Sequence, residues 1–225
     1  MSPVLDLRDV VAVVDNGFPV LAGLDLTVDA SERLLVVGPN GAGKTSLLRT
    51  VAGLVPVVAG VATVLGHDLR TDRRRVRPHL GLLGHTTGLY DDLTPVENVA
   101  FGAAVAGIAP HGIDRALDRV ALAARLRGRA TGSLSVGQRR RVALASLLVR
   151  RPRIWLLDEP HAGFDARGRD LVDELVLDAA AAGATVVFAS HDVDRSEAIA
   201  SRIVHLAGGV IAVDESLEGS PGERG

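Results

Sequence analysis

The chain has 225 residues, 47% of them hydrophobic, with a formal net charge of −2 at pH 7 and no cysteine. The nearly balanced charge gives no electrostatic basis for a nucleic-acid partner, and the lack of cysteine excludes disulfides and thiolate metal sites. At this length about 70% of the unfolded surface can be buried, which allows one good-sized core.

Strands are predicted in the first forty residues by the short apolar or alternating runs VLDLRDVVAVVD, LAGLDLTV and RLLVVG, joined by turns at DNGFP and DASE. Asp6, Arg8 and Asp9 lie where a signal peptide would need its apolar segment, so we expect a cytoplasmic chain. The uncharged residues 50–66 are interrupted by glycines and a proline, which predicts a helix end, a turn and a strand. No membrane-spanning segment and no direct membrane insertion are therefore predicted.

The middle of the chain, residues 86–149, is predicted to be helical because apolar residues recur every three to four positions in IDRALDRVALAARL and SVGQRRRVALASLLV. After it, the strands RIWLLDE and ATVVFAS alternate with the helices ARGRDLVDELVLDAAAA and DRSEAIAS, before a hairpin at IVHLAGGVIAV. Buried strands separated by helices favour an α/β core with a mostly parallel sheet, into which the helical middle is inserted. The composition of residues 216–225 predicts a disordered tail.

The segment RLLVVGPNGAGKTSLLR has the Walker A pattern, in which Gly38 is followed by four residues and then Gly43, Lys44 and Thr45, between an apolar strand and a helix. Glycines allow backbone N–H groups to face phosphates, and the helix N-terminus adds partial positive charge. Lys44, the only lysine of the chain, can reach the outer phosphates, and the Thr45 hydroxyl can bind Mg²⁺. The predicted nucleotide-binding residues are Gly38, Pro39, Asn40, Gly41, Ala42, Gly43, Lys44, Thr45 and Ser46.

A second strand, RIWLLDEP, ends in two adjacent carboxylates. Asp158 is predicted to lie in the outer shell of the Mg²⁺ ion, and Glu159 to act as the general base that activates water. His191 follows the strand ATVVFAS, where a strand end would aim it at the same site as a γ-phosphate sensor. A lone histidine is more often structural, so its predicted role depends on its place after these motifs. Together the motifs predict an enzyme that hydrolyses ATP with Mg²⁺.

A further glycine-containing turn, LSVGQ at residues 134–138, leads into a helix studded with arginines. The order Walker A, LSVGQ, LLDEP, AGFD and SHD resembles the nucleotide-binding subunit of ABC transporters over residues 4–215. The resemblance implies an α/β P-loop core with an N-terminal antiparallel β region. It also implies one ATPase domain over residues 1–215, with a core at 1–85 and 150–215 and a helical subdomain at 86–149.

The same resemblance implies a head-to-tail homodimer in which the LSVGQ turn of one copy closes on the ATP bound by the other. The implied contacts to the partner's nucleotide are Ser135, Val136, Gly137 and Gln138, with Val136 in place of the family's usual glycine. Asp165 of AGFD is implied to couple the two sites. At least two of the three following arginines, Arg139, Arg140 and Arg141, are predicted to form a solvated helix face.

Two positions depart from the family's pattern. Asp15 stands where many members stack adenine on an aromatic ring, which leaves Phe18 as the nearby candidate. His85 stands where the family has a glutamine that senses Mg²⁺ and contacts the membrane partner, and imidazole suits a hard cation poorly. We retain His85 as a coupling residue. His161, where many relatives have serine, threonine or phenylalanine, is given no role.

The segment around His85, with GKTSLLR, QRRRVALA and WLLDEP, is similar to the haem-exporter ATPase of bacterial cytochrome c maturation, although Thr86 replaces that subgroup's usual glutamine. This implies an ATPase at the cytoplasmic face of the cell membrane that powers export through separate integral membrane transporter subunits. Two alternatives stay open: the same ATPase serving a drug, lipid or ion exporter, and a soluble ABC ATPase of translation or DNA repair. Soluble relatives usually have two cassettes or a coiled-coil insertion, and this chain has neither.

A groove near residues 85–97 is predicted to receive a short helix from a transmembrane subunit. The segment GLYDDLTPVEN offers the apolar side chains of Tyr90 and Leu93 for this contact. Three acids lie beside them in the sequence, namely Asp91, Asp92 and Glu97.

Overall fold

The computed structural model describes residues 3–14 and 17–217. Asp15 and most of the predicted tail, residues 218–225, lie outside the described residues. The strands are β1 Leu5–Val13, β2 Pro19–Val28, β3 Arg33–Val37, β4 Val57–Val64, β5 His67–Asp68, β6 Leu80–Leu83, β7 Ile154–Asp158, β8 Thr185–Ala189, β9 Arg202–Ala207 and β10 Val210–Ser216. The helices are α1 Lys44–Val51, α2 Arg73–Val76, α3 Pro95–Val105, α4 Ile113–Arg119, α5 Val136–Arg150, α6 Ala166–Ala181 and α7 Val193–Glu197.

Two sheets build the fold. The larger has the order β10-β9-β3-β8-β7-β6 and is parallel except for the antiparallel β9–β10 hairpin. The smaller, β2-β1-β4-β5, is antiparallel throughout. β7 and β8 are buried at every position, as parallel strands covered on both faces must be, whereas β2 mostly alternates between buried and exposed residues. The predicted mixed, mostly parallel sheet and antiparallel N-terminal region are therefore confirmed.

The parallel sheet separates two hydrophobic cores. Because side chains alternate along a strand, Leu34 and Val36 of β3 face one core, and Leu35 and Val37 face the other. The first core lies beneath the antiparallel sheet and α1, and the second beneath α5 and α6. This packing fixes the carboxyl ends of β3, β7 and β8 side by side at one edge of the sheet.

The helix predicted over IDRALDRVALAARL, residues 113–126, is wrong in its second half. α4 ends at Arg119, and Ala121 has the left-handed φ of 53°, which breaks the helix. A 3-10 turn at Ala124–Leu126 follows. After this bend Arg127 contacts the preceding helix: its guanidinium binds the carbonyl of Leu122 and the carboxylates of Asp114 and Asp118 on α4.

α5 and α6 agree with their predicted segments within one residue at each end. α7 ends at Glu197, four residues before the end of the predicted segment DRSEAIAS. Within residues 3–14 and 17–217, no helix combines the length and the hydrophobicity that crossing a bilayer requires.

Candidate active site

The glycine-rich loop between β3 and α1 is shaped by positions that exclude other residues. Gly38 and Gly43 have φ values of 150° and 110°, in the region that favours glycine. A Cβ atom on Gly38 would lie 2.2 Å from the carbonyl oxygen of Leu206, and one on Gly43 would lie 2.9 Å from that of Val20. The loop is therefore packed backbone against backbone, and only glycine fits at these two positions.

Lys44, the first residue of α1, closes this loop. Its side chain is 8% exposed, and Nζ donates hydrogen bonds to the carbonyl oxygens of Gly38 at 2.6 Å and Pro39 at 3.1 Å. No acidic residue lies in the first turn of α1, so no carboxylate in that turn offsets the positive end of the helix dipole. The ammonium group and the helix N-terminus together favour an anionic ligand such as a polyphosphate.

Thr45 and Asp158 connect this loop to β7, which β8 separates from β3 in the sheet. Thr45 Oγ1 donates a hydrogen bond of 2.8 Å to Asp158 Oδ2, and Asp158 is only 6% exposed at the end of β7. Hydroxyl and carboxylate oxygens are ligands that Mg²⁺ accepts, and Mg²⁺ usually binds one or two protein oxygens together with water and phosphate. Among the described residues no group of three or more histidine, aspartate or glutamate side chains is placed to hold a metal ion.

Glu159 and His191 lie at the ends of the adjacent strands β7 and β8. The backbone N–H of His191 donates to Glu159 Oε2 at 3.2 Å, and His191 Nε2 lies 3.4 Å from Glu159 Oε1. Glu159 also has a φ of 51°, a left-handed conformation that is uncommon outside glycine. Backbone strain of this kind is concentrated at functional sites.

One cavity of about 1260 Å³ joins these elements. Ser46 and all the predicted Walker A residues from Asn40 onward line it, as do Asp158, Glu159 and His191. His85 and Phe18 line it as well, and both side chains are exposed. The structure thus brings together the side chains that the sequence assigns to nucleotide, metal ion and water.

The LSVGQ segment is not part of this cavity. Ser135 caps α5 by accepting a hydrogen bond from the N–H of Gln138 at 3.3 Å, and the Gln138 side chain accepts from the N–H of Ser135 at 2.9 Å. Val136 is 69% exposed at the first position of the helix. Within one chain, the four residues Ser135–Gln138 therefore have no part in the nucleotide cavity.

Asp165 lies at the end of the turn that follows Glu159. It caps α6, since its Oδ1 accepts a hydrogen bond of 2.8 Å from the N–H of Gly168. The residue is exposed on the surface of the described chain, and it does not line the nucleotide cavity.

The prediction of a solvated face for at least two of the three arginines after LSVGQ is wrong. Arg140 is 3% exposed and donates to the carbonyl oxygens of Glu159 and Asp158. Arg141 donates to the carbonyl of Val120 at 2.5 Å, and its guanidinium carbon lies 5.4 Å from the centre of the Phe164 ring. Arg139 pairs with Asp91 at 2.7 Å. Consecutive residues on a helix point about 100° apart, so three in a row cannot share one face.

His161, which the sequence left without a role, is a buried connection. It is 6% exposed, and its Nε2 lies 2.7 Å from Asp173 Oδ1 on α6. Arg195 of α7 also pairs with Asp173, and with Asp170 one turn earlier. This cluster joins the turn after Glu159 to the helix that follows His191. Its sequence signal was the i, i+3 spacing of the two aspartates, which places them on one face of α6.

The loop that carries Tyr90 is fixed to α3 by Asn98. The Asn98 side chain accepts from the N–H of Tyr90 at 2.8 Å and donates to the carbonyls of Tyr90 and Leu93. Tyr90 remains 54% exposed and packs edge-on against Phe101, which is 45% exposed, with ring centres 5.0 Å apart. Tyr90 and Phe101 therefore form an exposed aromatic pair beside a loop that the Asn98 side chain holds by hydrogen bonds.

The glycine-rich loop between β3 and α1 lies beside the carboxylates of Asp158 and Glu159 at the end of β7. This combination defines a P-loop nucleoside-triphosphate hydrolase. The sequence profile of the family described as ABC transporter matches residues 21–162. The chain belongs to this family as one of its ATP-binding, ATP-hydrolysing cassettes.

Two relatives and one solved structure describe the match. The cytochrome c biogenesis ATP-binding export protein CcmA of Rhodopseudomonas palustris is 40% identical over 178 residues, covering 79% of this chain and 87% of that protein. ATP-binding cassette sub-family A member 7 of Mus musculus is 35% identical over 196 residues, covering 85% of this chain and 9% of that protein. The dimeric post-hydrolysis state of the ATP-binding cassette MJ0796, bound to ADP and Pi, is 24% identical with a TM-score of 0.86, covering 96% of this chain and all of that one.

These matches confirm the predicted resemblance to the ABC nucleotide-binding subunit and to the haem-exporter ATPase of cytochrome c maturation. The structural match confirms the fold class.

Proposed function

We propose that this chain powers export through separate integral membrane subunits by hydrolysing Mg²⁺-bound ATP in a site shared between two copies. One observation supports the proposal of a shared site. Every other predicted catalytic or metal-binding side chain lines a single cavity, whereas the LSVGQ turn lies outside it with Val136 exposed at a helix N-terminus. A second copy arranged head to tail would bring this turn to the open side of the nucleotide.

The residues then have distinct tasks in hydrolysis. The loop at residues 38–46 and the Lys44 ammonium hold the phosphates. Thr45 would bind a Mg²⁺ ion and Asp158 would lie in its outer shell, and the ion would neutralise phosphate charge. Glu159 takes the proton of the attacking water as oxygen bonds to the γ-phosphorus and ADP leaves. His191 stabilises the γ-phosphate from the end of β8.

The trans contacts through Ser135, Val136, Gly137 and Gln138, and the coupling roles of His85 and Asp165, belong to the same proposal. So does the division into a core at 1–85 and 150–215 and a helical subdomain at 86–149. Phe18, at the rim of the cavity, is the described aromatic residue available to adenine.

We further propose a haem-exporter type of system linked to cytochrome c biogenesis, at the cytoplasmic face of the cell membrane. Its support is the similarity to CcmA over most of both chains. The alternative cargo classes stay open because a sub-family A transporter is nearly as similar over this region. Small multi-span proteins and apocytochrome-handling proteins encoded beside this chain would favour haem, whereas one large permease would favour another cargo.

A disulfide experiment tests the shared site. Because the chain has no cysteine, Asn40→Cys and Val136→Cys can be introduced together without background thiols. If closure brings their Cα atoms within about 7 Å, a mild oxidant links two chains, and the yield should rise with ATP, most strongly in a Glu159→Gln background. Each single-cysteine variant is the control. A link within one chain, or one indifferent to bound ATP, contradicts the shared site.

A further inference from the structure

Arg140 is buried where α5 meets the carboxyl end of β7. Its Nη2 donates to the carbonyl oxygen of Glu159 at 2.5 Å and lies 3.4 Å from that of Asp158. Burial lowers the pKa of Arg140, and the carboxylates of Asp158 and Glu159 oppose that shift. The guanidinium is thus a buried cation directed at backbone atoms of the two residues that the proposed mechanism uses.

The backbone of Glu159 needs such support. A left-handed residue with a side chain persists only when its surroundings hold it there. The Glu159 N–H donates to the carbonyl of Ala189 at 2.9 Å, and the Glu159 carbonyl accepts from the N–H of Ala162 at 3.1 Å. The contact from Arg140 is the charge-assisted one of the three and therefore the strongest kind.

The turn after Glu159 is also packed tightly against the start of α5. A Cβ atom on Gly137 would lie 2.8 Å from the carbonyl oxygen of Gly163. A Cβ atom on Gly163 would lie 3.4 Å from Val136 Cγ1 and 3.8 Å from Arg140 Cδ. Val136 and Arg140 are four residues apart and so share one face of α5. The start of α5 and the turn after Glu159 are therefore in direct van der Waals contact.

We propose that Arg140 is a positioning residue for ATP hydrolysis: it holds the left-handed backbone of Glu159 and links the carboxylate of that residue to the LSVGQ turn on the same helix. The inference rests on the proposed role of Glu159 as general base. It predicts that docking of the LSVGQ turn on a partner's nucleotide shifts the chain's own Glu159 carboxylate.

Arg140→Lys tests this, because lysine keeps the positive charge but replaces the planar fork by a single ammonium. We expect kcat for ATP hydrolysis to fall about tenfold or more, since small displacements of a reacting group have effects of that size, while KM for ATP changes less than about twofold. A double substitution provides the sharper measurement. If Arg140 acts through Glu159, Arg140→Lys should lower single-turnover hydrolysis in the wild-type background and have no further effect beside Glu159→Gln.

Arg150→Lys is the matched control. Arg150 lies on the same helix, burial lowers its pKa likewise, and it donates to the backbone carbonyl of Leu80 at 2.8 Å, at the opposite end of the sheet. Both lysine variants should lower the melting temperature, but only Arg140→Lys should lower kcat. An equal fall in kcat for both, or an equal further fall in the Glu159→Gln background, overturns the inference.

Amide hydrogen exchange gives a readout that needs no activity. Peptides covering residues 159–164 should exchange faster in Arg140→Lys than in the wild type or Arg150→Lys. Unchanged exchange together with unchanged kcat also overturns the inference. If Glu159→Gln instead hydrolyses ATP at the wild-type rate, the proposed base is wrong, and the exchange result still decides whether Arg140 holds the turn.

Discussion

At the scale of single residues, Lys44 is the side chain for which a contact with the phosphates of ATP is predicted most directly. Its ammonium group is nearly buried between two loop carbonyls, so replacing it with alanine removes a charged hydrogen-bond donor from the phosphate position. Hydrogen bonds to charged groups contribute about 1.5–3 kcal/mol, so ATP affinity should fall at least about tenfold in Lys44→Ala. Isothermal titration measures this, and an unchanged Kd would mean that Lys44 does not meet the phosphates.

Glu159→Gln separates binding from chemistry. Glutamine keeps the size of the side chain and an acceptor for the N–H of His191, but it cannot take a proton from water. ATP binding should therefore persist, while hydrolysis falls by about 10²–10⁴, the usual contribution of a general base. Rapid-quench single turnovers measure the rate, and Glu197→Gln, an exposed acid on α7, is the control. Turnover at the wild-type rate would reassign the base.

The sequence predicted the residues of contiguous motifs and missed those whose partners lie far along the chain. Thr45 and Asp158 could be named from the sequence because each belongs to a recognisable segment that ends or begins an element. Arg140 was not found, because its partner is a backbone carbonyl nineteen residues away. In the sequence it is one of three consecutive arginines, and only the docking of α5 decides which of them is buried.

At the scale of elements, the loop before α3 combines a rigid backbone with exposed aromatic rings. Asn98 fixes this loop, and the edge-on contact with Phe101 orients Tyr90 outward. Tyrosine is among the residues that dominate binding energy at interfaces. Tyr90→Ala should therefore reduce co-purification with an integral membrane subunit. It should leave basal ATPase activity within about twofold of the wild type, since Tyr90 does not line the nucleotide cavity.

The control for this variant is Leu177→Ala, which removes an exposed apolar side chain from α6, outside the loop. Normal co-purification of Tyr90→Ala would remove the loop from the contact surface. Loss of ATPase activity with normal complex formation would show that the ring has a structural role.

Elements were predicted best where one periodic pattern spanned the whole element. The strands β7 and β8 are buried on both faces, so their apolar runs are unbroken and their positions follow directly. The helix over residues 113–126 failed because its apolar residues remain buried after the chain has left the helix. Ala121 carries the left-handed φ, and an alanine gives no sequence signal for such a break.

At the scale of the whole molecule, Arg202 joins the two sheets. Its guanidinium pairs with Asp214 through two bonds of 2.6 Å, contacts Glu32 at 3.0 Å and donates to the carbonyl of Thr27 on β2 at 2.9 Å. The hydrogen bonds and the charge of Arg202 lower the pKa of Asp214 below its usual value of 3.8, although partial burial opposes the shift. Stability from this pair is therefore present above about pH 4 and is lost as the pH falls through the lowered pKa.

Asp214→Asn tests that dependence. The Asp214 side chain is 44% exposed, so solvent screening limits the contribution of the pair to less than about 1 kcal/mol. Urea unfolding should show the wild type more stable than Asp214→Asn at pH 6, with the difference shrinking toward pH 3. A difference that is constant over this range would show that the ion pair does not lower the pKa of Asp214 in the folded state.

The sequence predicted both sheets but not how they are connected, because Arg202, Glu32 and Asp214 look like ordinary surface charges along the chain. Their pairing depends on β9 and β10 lying beside the end of β2, which is a property of the assembled molecule. The same limit applies to the LSVGQ turn, since its proposed ligand belongs to another copy. The exposure of Val136 in one chain agrees with a site that a single copy does not complete.

The single lysine has a consequence for covalent modification. The only ε-amine of the chain lies in the phosphate loop. Acetylation of that amine would remove its positive charge and two of its three donors, and would place an acetyl group among the loop carbonyls. Acylation chemistry directed at lysine side chains therefore has one target in this chain, and that target is either free to meet nucleotide or blocked.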